Sequence, residues 1–270
     1  MLEHPEDPRY REIVLEPINV CAQYKPKFGQ GGRKGLSLET FQSLYQADAF
    51  YNWFGLDNPL MYAAHKAAGG MTSVYRQIGI GCERLFRQVL IDSLGLSDED
   101  ATWWYERETP SGRRQKLYLD GRIPLQSVEN SDARDRVRDW IHRAAGDIGV
   151  QKPIADSLTG VVFEVRQGYK SKDSKRQNAD IANAASAYIN TYLPCAVILS
   201  NQIDGDIQNR YRGERWAMVT GIVGTDNDLR STYAFTRQVL GYDLAAFFER
   251  NSGQLRAELD RVLQSLLKAG

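Results

Sequence analysis

The residues that most restrict the fold are seven in a row, Gly160-Val161-Val162-Phe163-Glu164-Val165-Arg166. They form an apolar, β-rich run interrupted by two opposite charges two positions apart. Successive side chains in a strand alternate between faces, so Glu164 and Arg166 share one face while Val161, Phe163 and Val165 take the other. A run this apolar belongs inside, and an isolated carboxylate inside a protein is costly enough to demand a partner. Ala196-Val197-Ile198-Leu199 makes a second compact apolar run after Pro194, and Trp216 to Val223 supplies a further strand. Ser174 to Tyr192 between them has helical spacing. Strand, helix, strand, strand predicts an α/β fold with a mixed sheet and a crossover helix.

Helical periodicity dominates the remainder. It covers Leu38 to Phe54, Leu60 to Ala68, and Thr72 to Leu94, with Gly69-Gly70 read as punctuation. Ser131 to Ala145, Ser231 to Leu240, Leu244 to Arg250 and Gln254 to Leu267 follow the same pattern. Lys116 to Leu125 alternates as a strand pair or one bent strand around Asp120-Gly121. The expected architecture is a central mixed β-sheet flanked by helices, with additional helices at both ends of the chain.

Charge narrows the function classes. Lys+Arg and Asp+Glu both number 34, so the chain has no net charge with which to coat a polyanion, and any such affinity must come from local clusters. Cys21, Cys82 and Cys195 form neither a disulfide framework nor a zinc pattern, which fits a reducing compartment. No apolar run approaches the ~18 residues needed to cross a bilayer. A cytoplasmic location is expected.

The chemistry-bearing residues lie between Asp156 and Asp180. Asp156 precedes the apolar strand, Glu164 projects near its end, and Lys170, Lys172, Asp173, Lys175, Arg176 and Asn178 follow. Two carboxylates beside basic side chains can hold a hard divalent cation such as Mg²⁺, with the cation stabilising a phosphate. The order of a turn aspartate, a strand carrying Glu-x-basic and then a helix resembles the PD-(D/E)xK nuclease superfamily, type II restriction endonucleases above all. The resemblance covers about 25 residues, a small part of the chain, and its pattern is degenerate. It implies a restriction-endonuclease-like fold, Mg²⁺ as cofactor, and hydrolysis of double-stranded DNA leaving 5′-phosphates. A homodimer and a cognate DNA methyltransferase are its implied partners. Residues 1–70 would then be a helical N-terminal extension packed on a catalytic domain of residues 71–270.

Within that resemblance Arg166 stands where the family has lysine. An arginine holds a phosphate oxygen but does not give up its proton, so Lys170 is the substitute expected to serve the water. The cluster Lys170 to Arg176, with Asp180 fourteen positions after Arg166, also resembles enzymes that cut CCGG and related sites. Lys172, Asp173, Lys175, Arg176 and Asn178 are the expected base-reading residues, as Lys and Arg donate to guanine and Asp accepts from cytosine. Glu83 resembles the helix-borne glutamate of several restriction enzymes. Asp120 and Asp156 compete for the metal position, and sequence alone leaves that choice open.

Plainer roles compete with each of these. Asp156 and Asp120 also suit a turn cap and a hairpin turn, and Glu83 suits an exposed pair with Arg87 at i+4. Phe50 to Phe54 and Trp103-Trp104-Tyr105 are aromatic clusters of the kind that usually fill cores. His65 and His142 read as packing or surface residues. Gly29 to Gly35 lacks the spacing and the preceding strand of a phosphate loop.

Overall fold

The computed structural model describes residues 4–28, 34–108, 114–168 and 183–268. The chain divides into two compact units, Met1–Gly81 with Arg250–Gly270 and Cys82–Glu249. The expected break after residue 70 thus falls eleven positions later, and the chain's last 21 residues join the N-terminal unit.

The first unit is helical. It contains α1 (Asp7–Asn19), α2 (Leu38–Ala47), α3 (Ala49–Trp53), the start of α4 (Pro59–Leu94) and the end of α11 (Leu244–Leu267). Ser37 caps α2 by accepting from the Thr40 amide, and the Asp48 carboxylate accepts from the Phe50 and Tyr51 amides at the start of α3. Phe28, Phe41 and Tyr62 form a small aromatic core. Gly69 and Gly70 do not punctuate, because both lie inside α4. A Cβ on Gly70 would sit 2.5 Å from Leu266 Cδ2, and one on Gly81 2.7 Å from the Val14 carbonyl oxygen. The glycines therefore admit close neighbours, and that packing outweighs their poor helix propensity. The C-terminal pieces expected as two helices are one, α11.

The second unit carries the sheet. The short α5 (Asp98–Ala101) leads into a two-stranded ribbon, β1 (Trp103–Glu108) with β2 (Arg114–Leu119), which precedes β3 (Gly121–Pro124). Next come α6 (Ser131–Asp147), α7 (Lys152–Asp156), β4 (Gly160–Arg166), α8 (described over 183–189), β5 (Tyr192–Ile198), α9 (Gly205–Gly213), β6 (Ala217–Val219) and α10 (Thr232–Phe235). The strand order is β3-β4-β5-β6, with β3 antiparallel to β4 and the other pairs parallel. The chain is therefore α/β with a mixed sheet flanked by helices. Lys116 to Leu125 is neither one bent strand nor one hairpin, since β2 and β3 join different sheets and part at Asp120.

Period-two alternation of β4 sorts the core. Phe163 packs edge-on against Phe86 of α4 at 5.1 Å and against Phe235 of α10, which also meets Trp140 of α6 at 4.6 Å. Val162 faces the opposite layer, where Ala184, Ala187, Ile207, Tyr211 and Trp216 gather with Trp103 and Leu119 of the ribbon. Glu164 and Arg166 follow Val162 on that second face. The aromatic clusters divide unexpectedly: Trp103 is buried, whereas Trp104, Phe50, Tyr51, Trp53 and Phe54 are exposed. Five-residue α3 is too short to turn four neighbouring aromatics toward one core. Among the described residues no helix is long and apolar enough to cross a membrane.

Candidate active site at the ends of β3 and β4

Glu164 is only 6% exposed, with five apolar or glycine residues sharing its strand, so its charge must be met within the protein. Arg166, two residues on and on the same face, forms an ion pair with it through Nη2. The other arm of the guanidinium, Nη1, lies 3.3 Å from the Val165 carbonyl oxygen and 3.9 Å from Asp120 Oδ2. One guanidinium thus gathers three oxygens, from two carboxylates and one backbone carbonyl.

Strand register brings Asp120 there. Gly121 pairs with Phe163 across the β3–β4 ladder, so Asp120, one residue earlier, stands across from Glu164. Its amide donates to the Phe163 carbonyl at 2.8 Å, and its Oδ2 accepts from the Val165 amide at 2.7 Å. Arg87 of α4 donates through Nε to the Asp120 carbonyl at 2.8 Å. The carboxylate is consequently held by a backbone amide of β4, and the residue's own backbone is tied to β4 and to Arg87 of α4.

Asp156 does not join this group. It ends α7 on the surface, where His142 Nδ1 lies 3.8 Å away. It precedes the first residue of β4 by four positions, and Glu164 lies four further along, about 13 Å at the usual rise per strand residue. Of the two competing aspartates, the structure brings Asp120 to Glu164.

Glu83 lies one helical turn before Arg87 on α4 and is half-buried. Neighbouring Cys82 has its thiol pushed up to about 12, chiefly by burial and secondarily by the Glu83 charge. Arg87, the expected i+4 partner of Glu83, spends its Nε on the Asp120 carbonyl. Lys170, Lys172, Asp173, Lys175, Arg176, Asn178 and Asp180 lie outside the described residues, as does most of Gly29 to Gly35. Arg212 pairs with Asp147 at 3.2 Å and Arg215 donates to the Ile148 carbonyl at 2.5 Å, which ties both to the end of α6.

Sequence reading missed two contributors, the Val165 carbonyl and Arg87. Neither leaves a signature, because one is backbone and the other recognises backbone. Among the described residues no group of three or more His, Cys, Asp or Glu is placed to hold a metal ion. The donors present are nonetheless of the hard oxygen type, two carboxylates and a carbonyl, which suits a cation that keeps several waters and takes one or two protein carboxylates. The chain matches no protein-family model, no curated protein and no solved structure.

Proposed function

We propose that this chain is a Mg²⁺-dependent endonuclease that hydrolyses phosphodiester bonds in double-stranded DNA, of the restriction type. The observation that carries the reading is the set of three oxygens from Asp120, Glu164 and Val165 converging on one cationic group at the end of a central strand. Two carboxylates and a carbonyl turned toward one point are the hard oxygen donors that a dication such as Mg²⁺ takes.

Asp120 and Glu164 are the residues that would hold Mg²⁺, which when bound supplies an acidified water and neutralises charge on the scissile phosphate. Arg166, on the same strand face, is suited to grip a non-bridging phosphate oxygen through its planar fork. Lys170, four residues beyond, takes the role of orienting the attacking water or accepting its proton, which a guanidinium does not fill. In-line attack then leaves a 5′-phosphate. Lys172, Asp173, Lys175, Arg176 and Asn178 are proposed to read base edges, and a cognate methyltransferase is the partner that would protect host DNA.

Incubating the chain with mixed-sequence plasmid and phage DNA, with Mg²⁺ or with a chelator, tests the reading. Discrete fragments are expected with Mg²⁺ alone. Glu164→Ala is expected to lose cutting by about 10³-fold or more, on the scale of losing metal-based charge stabilisation, while keeping duplex binding in a gel shift. No cutting of any mixed-sequence duplex by the wild type would sink it. The same guanidinium favours a second reading, in which Arg166 occupies the site permanently and the chain binds DNA without cutting it. Tight duplex binding with no metal-dependent cleavage would select that alternative.

A further inference from the structure

The helical unit uses its two kinds of cation differently. Three of its arginines take carboxylates: Arg9 pairs with Glu6, Arg250 with Asp7 and Arg261 with Glu258. Glu39 lies in the first turn of α2, and Asp48 caps α3. The unit's lysines are Lys25, Lys27, Lys34, Lys66 and Lys268. Among the described residues none of the five has a carboxylate within ion-pair distance, Glu12, Glu16, Asp57 and Asp260 included.

Contacts between distant parts of the chain gather these lysines. The Leu36 amide donates to the Pro26 carbonyl at 2.9 Å, and a Cβ on Gly35 would sit 2.5 Å from Lys25 Cβ. Glycine at 35 therefore lets the chain, and Lys34 with it, return beside Lys25. Gly69 makes the same room for Tyr24, whose Cζ would lie 2.8 Å from an added Cβ. That contact seats Lys25, the next residue, near Lys66, one turn before Gly69 on α4. Lys66 in turn donates through Nζ to the Lys268 carbonyl at 3.0 Å. Burial lowers the Lys66 pKa and the Lys25 charge lowers it further, so the two ammonium groups repel one another.

A chain with no net charge must concentrate cations locally if it is to hold a polyanion, and here five stand together with no carboxylate partner among the described residues. Lys25, Lys27, Lys34 and Lys268 are exposed, and Lys66 is half-buried. Lysine carries a compact point charge on a long stem, without the planar fork that arginine brings to a carboxylate. Such heads suit a row of phosphates met at varying angles.

We infer that Lys25, Lys27, Lys34, Lys66 and Lys268 form a nucleic-acid contact of their own, one that grips the phosphate backbone of duplex DNA without reading its sequence. Duplex DNA as the occupant rests on the proposed nuclease reading. The clustering of the lysines does not.

Fluorescence anisotropy of the full chain on labelled duplexes of several sequences, in chelator so that nothing is cut, tests the inference. The wild type is expected to bind at low salt and to weaken steeply as salt rises. The triple variant Lys25→Gln, Lys34→Gln, Lys66→Gln is expected to bind roughly 10²-fold more weakly near about 0.1 M salt, and the slope of log affinity on log salt to fall by about 2–3, since each neutralised phosphate contributes ~0.9. The loss should be equal for every sequence. Lys152→Gln, at an exposed lysine of α7, is expected to change neither quantity. Should circular dichroism show the triple variant misfolded, acetylation of wild-type lysines read by mass spectrometry replaces it: duplex is expected to protect the five lysines and not Lys152. An unchanged slope in a folded triple variant, an equal loss in Lys152→Gln, or no protection by duplex would overturn the inference. So would protection by polyglutamate or by tripolyphosphate where duplex gives none. A wild type that binds in this way and never cuts would sink the nuclease reading alone, whereas a cutting enzyme with an unaltered triple variant would sink only this inference.

Discussion

Each unit buries a carboxylate against an arginine, and the two arrangements differ in how the guanidinium is shared. In the helical unit Asp7 of α1 meets Arg250 of α11 fork to fork, Nε to Oδ2 at 2.8 Å and Nη2 to Oδ1 at 2.9 Å. The His4 amide adds a third bond at 3.0 Å, and Asp7's side chain is 1% exposed. Both carboxylate oxygens are engaged in good geometry, so the Arg250 guanidinium holds the Asp7 carboxyl at about 2, well below its ordinary value. In the sheet unit one Arg166 guanidinium is divided among Glu164, Val165 and Asp120, and reaches Asp120 only at 3.9 Å. A bidentate pair is a finished structural joint. A cation shared by three oxygens at a strand end is a balance of charge that another cation can take over.

The sharpest way to break this contrast is to neutralise one carboxylate in the sheet. Asp120→Asn is expected to cut Mg²⁺-dependent cleavage on the order of 10⁴-fold, worth about 5.5 kcal/mol in barrier, with little change in thermal stability, whereas Asp156→Asn leaves cleavage unaltered. Single-turnover rates measure both, and equal losses would return Asp156 to the site. In the helical unit the cost is expected in stability alone. Asp7→Ala strands a buried guanidinium and is expected to cost ~3–5 kcal/mol, or roughly 10 °C in melting temperature. Calorimetry reads it, and a loss below 1 kcal/mol would show that the pair is not a joint.

Exchanging the two kinds of cation tests which basic residue serves the water. Lys170→Arg is expected to lose about 10²–10³-fold in single-turnover rate, within the usual range for general acid–base catalysis, while Arg166→Lys stays within ~10-fold of wild type. The reverse pattern would place Arg166 at the catalytic position. The smallest effect is the pH dependence of the Asp7 joint. Its folded pKa of about 2 lies below the ordinary aspartate value of 3.8, so its contribution is fully present above about pH 4 and is lost as the pH falls through 2. The loss amounts to about 2 kcal/mol. Urea unfolding of wild type and Asp7→Ala should therefore converge between pH 4 and pH 2, and a constant gap would count against the pair.

Sequence by itself determined the elements and the central charge pattern. Period-two alternation in Gly160–Arg166 put Glu164 and Arg166 on one face, and the apolar runs around Val197 and Val219 became strands β5 and β6, because both features depend only on local geometry and burial. Tertiary structure decided the rest. Asp120 and Asp156 each precede a strand, and only the antiparallel register of β3 on β4 brings Asp120 opposite Glu164 while leaving Asp156 at the far end. Gly69 and Gly70 read as breaks, yet the approach of Leu266, nearly two hundred positions away, makes Gly70 a packing contact inside one long helix. Phe50 to Phe54 read as core and came out exposed, since composition states how apolar a segment is and only the assembled fold states whether anything is left to cover it.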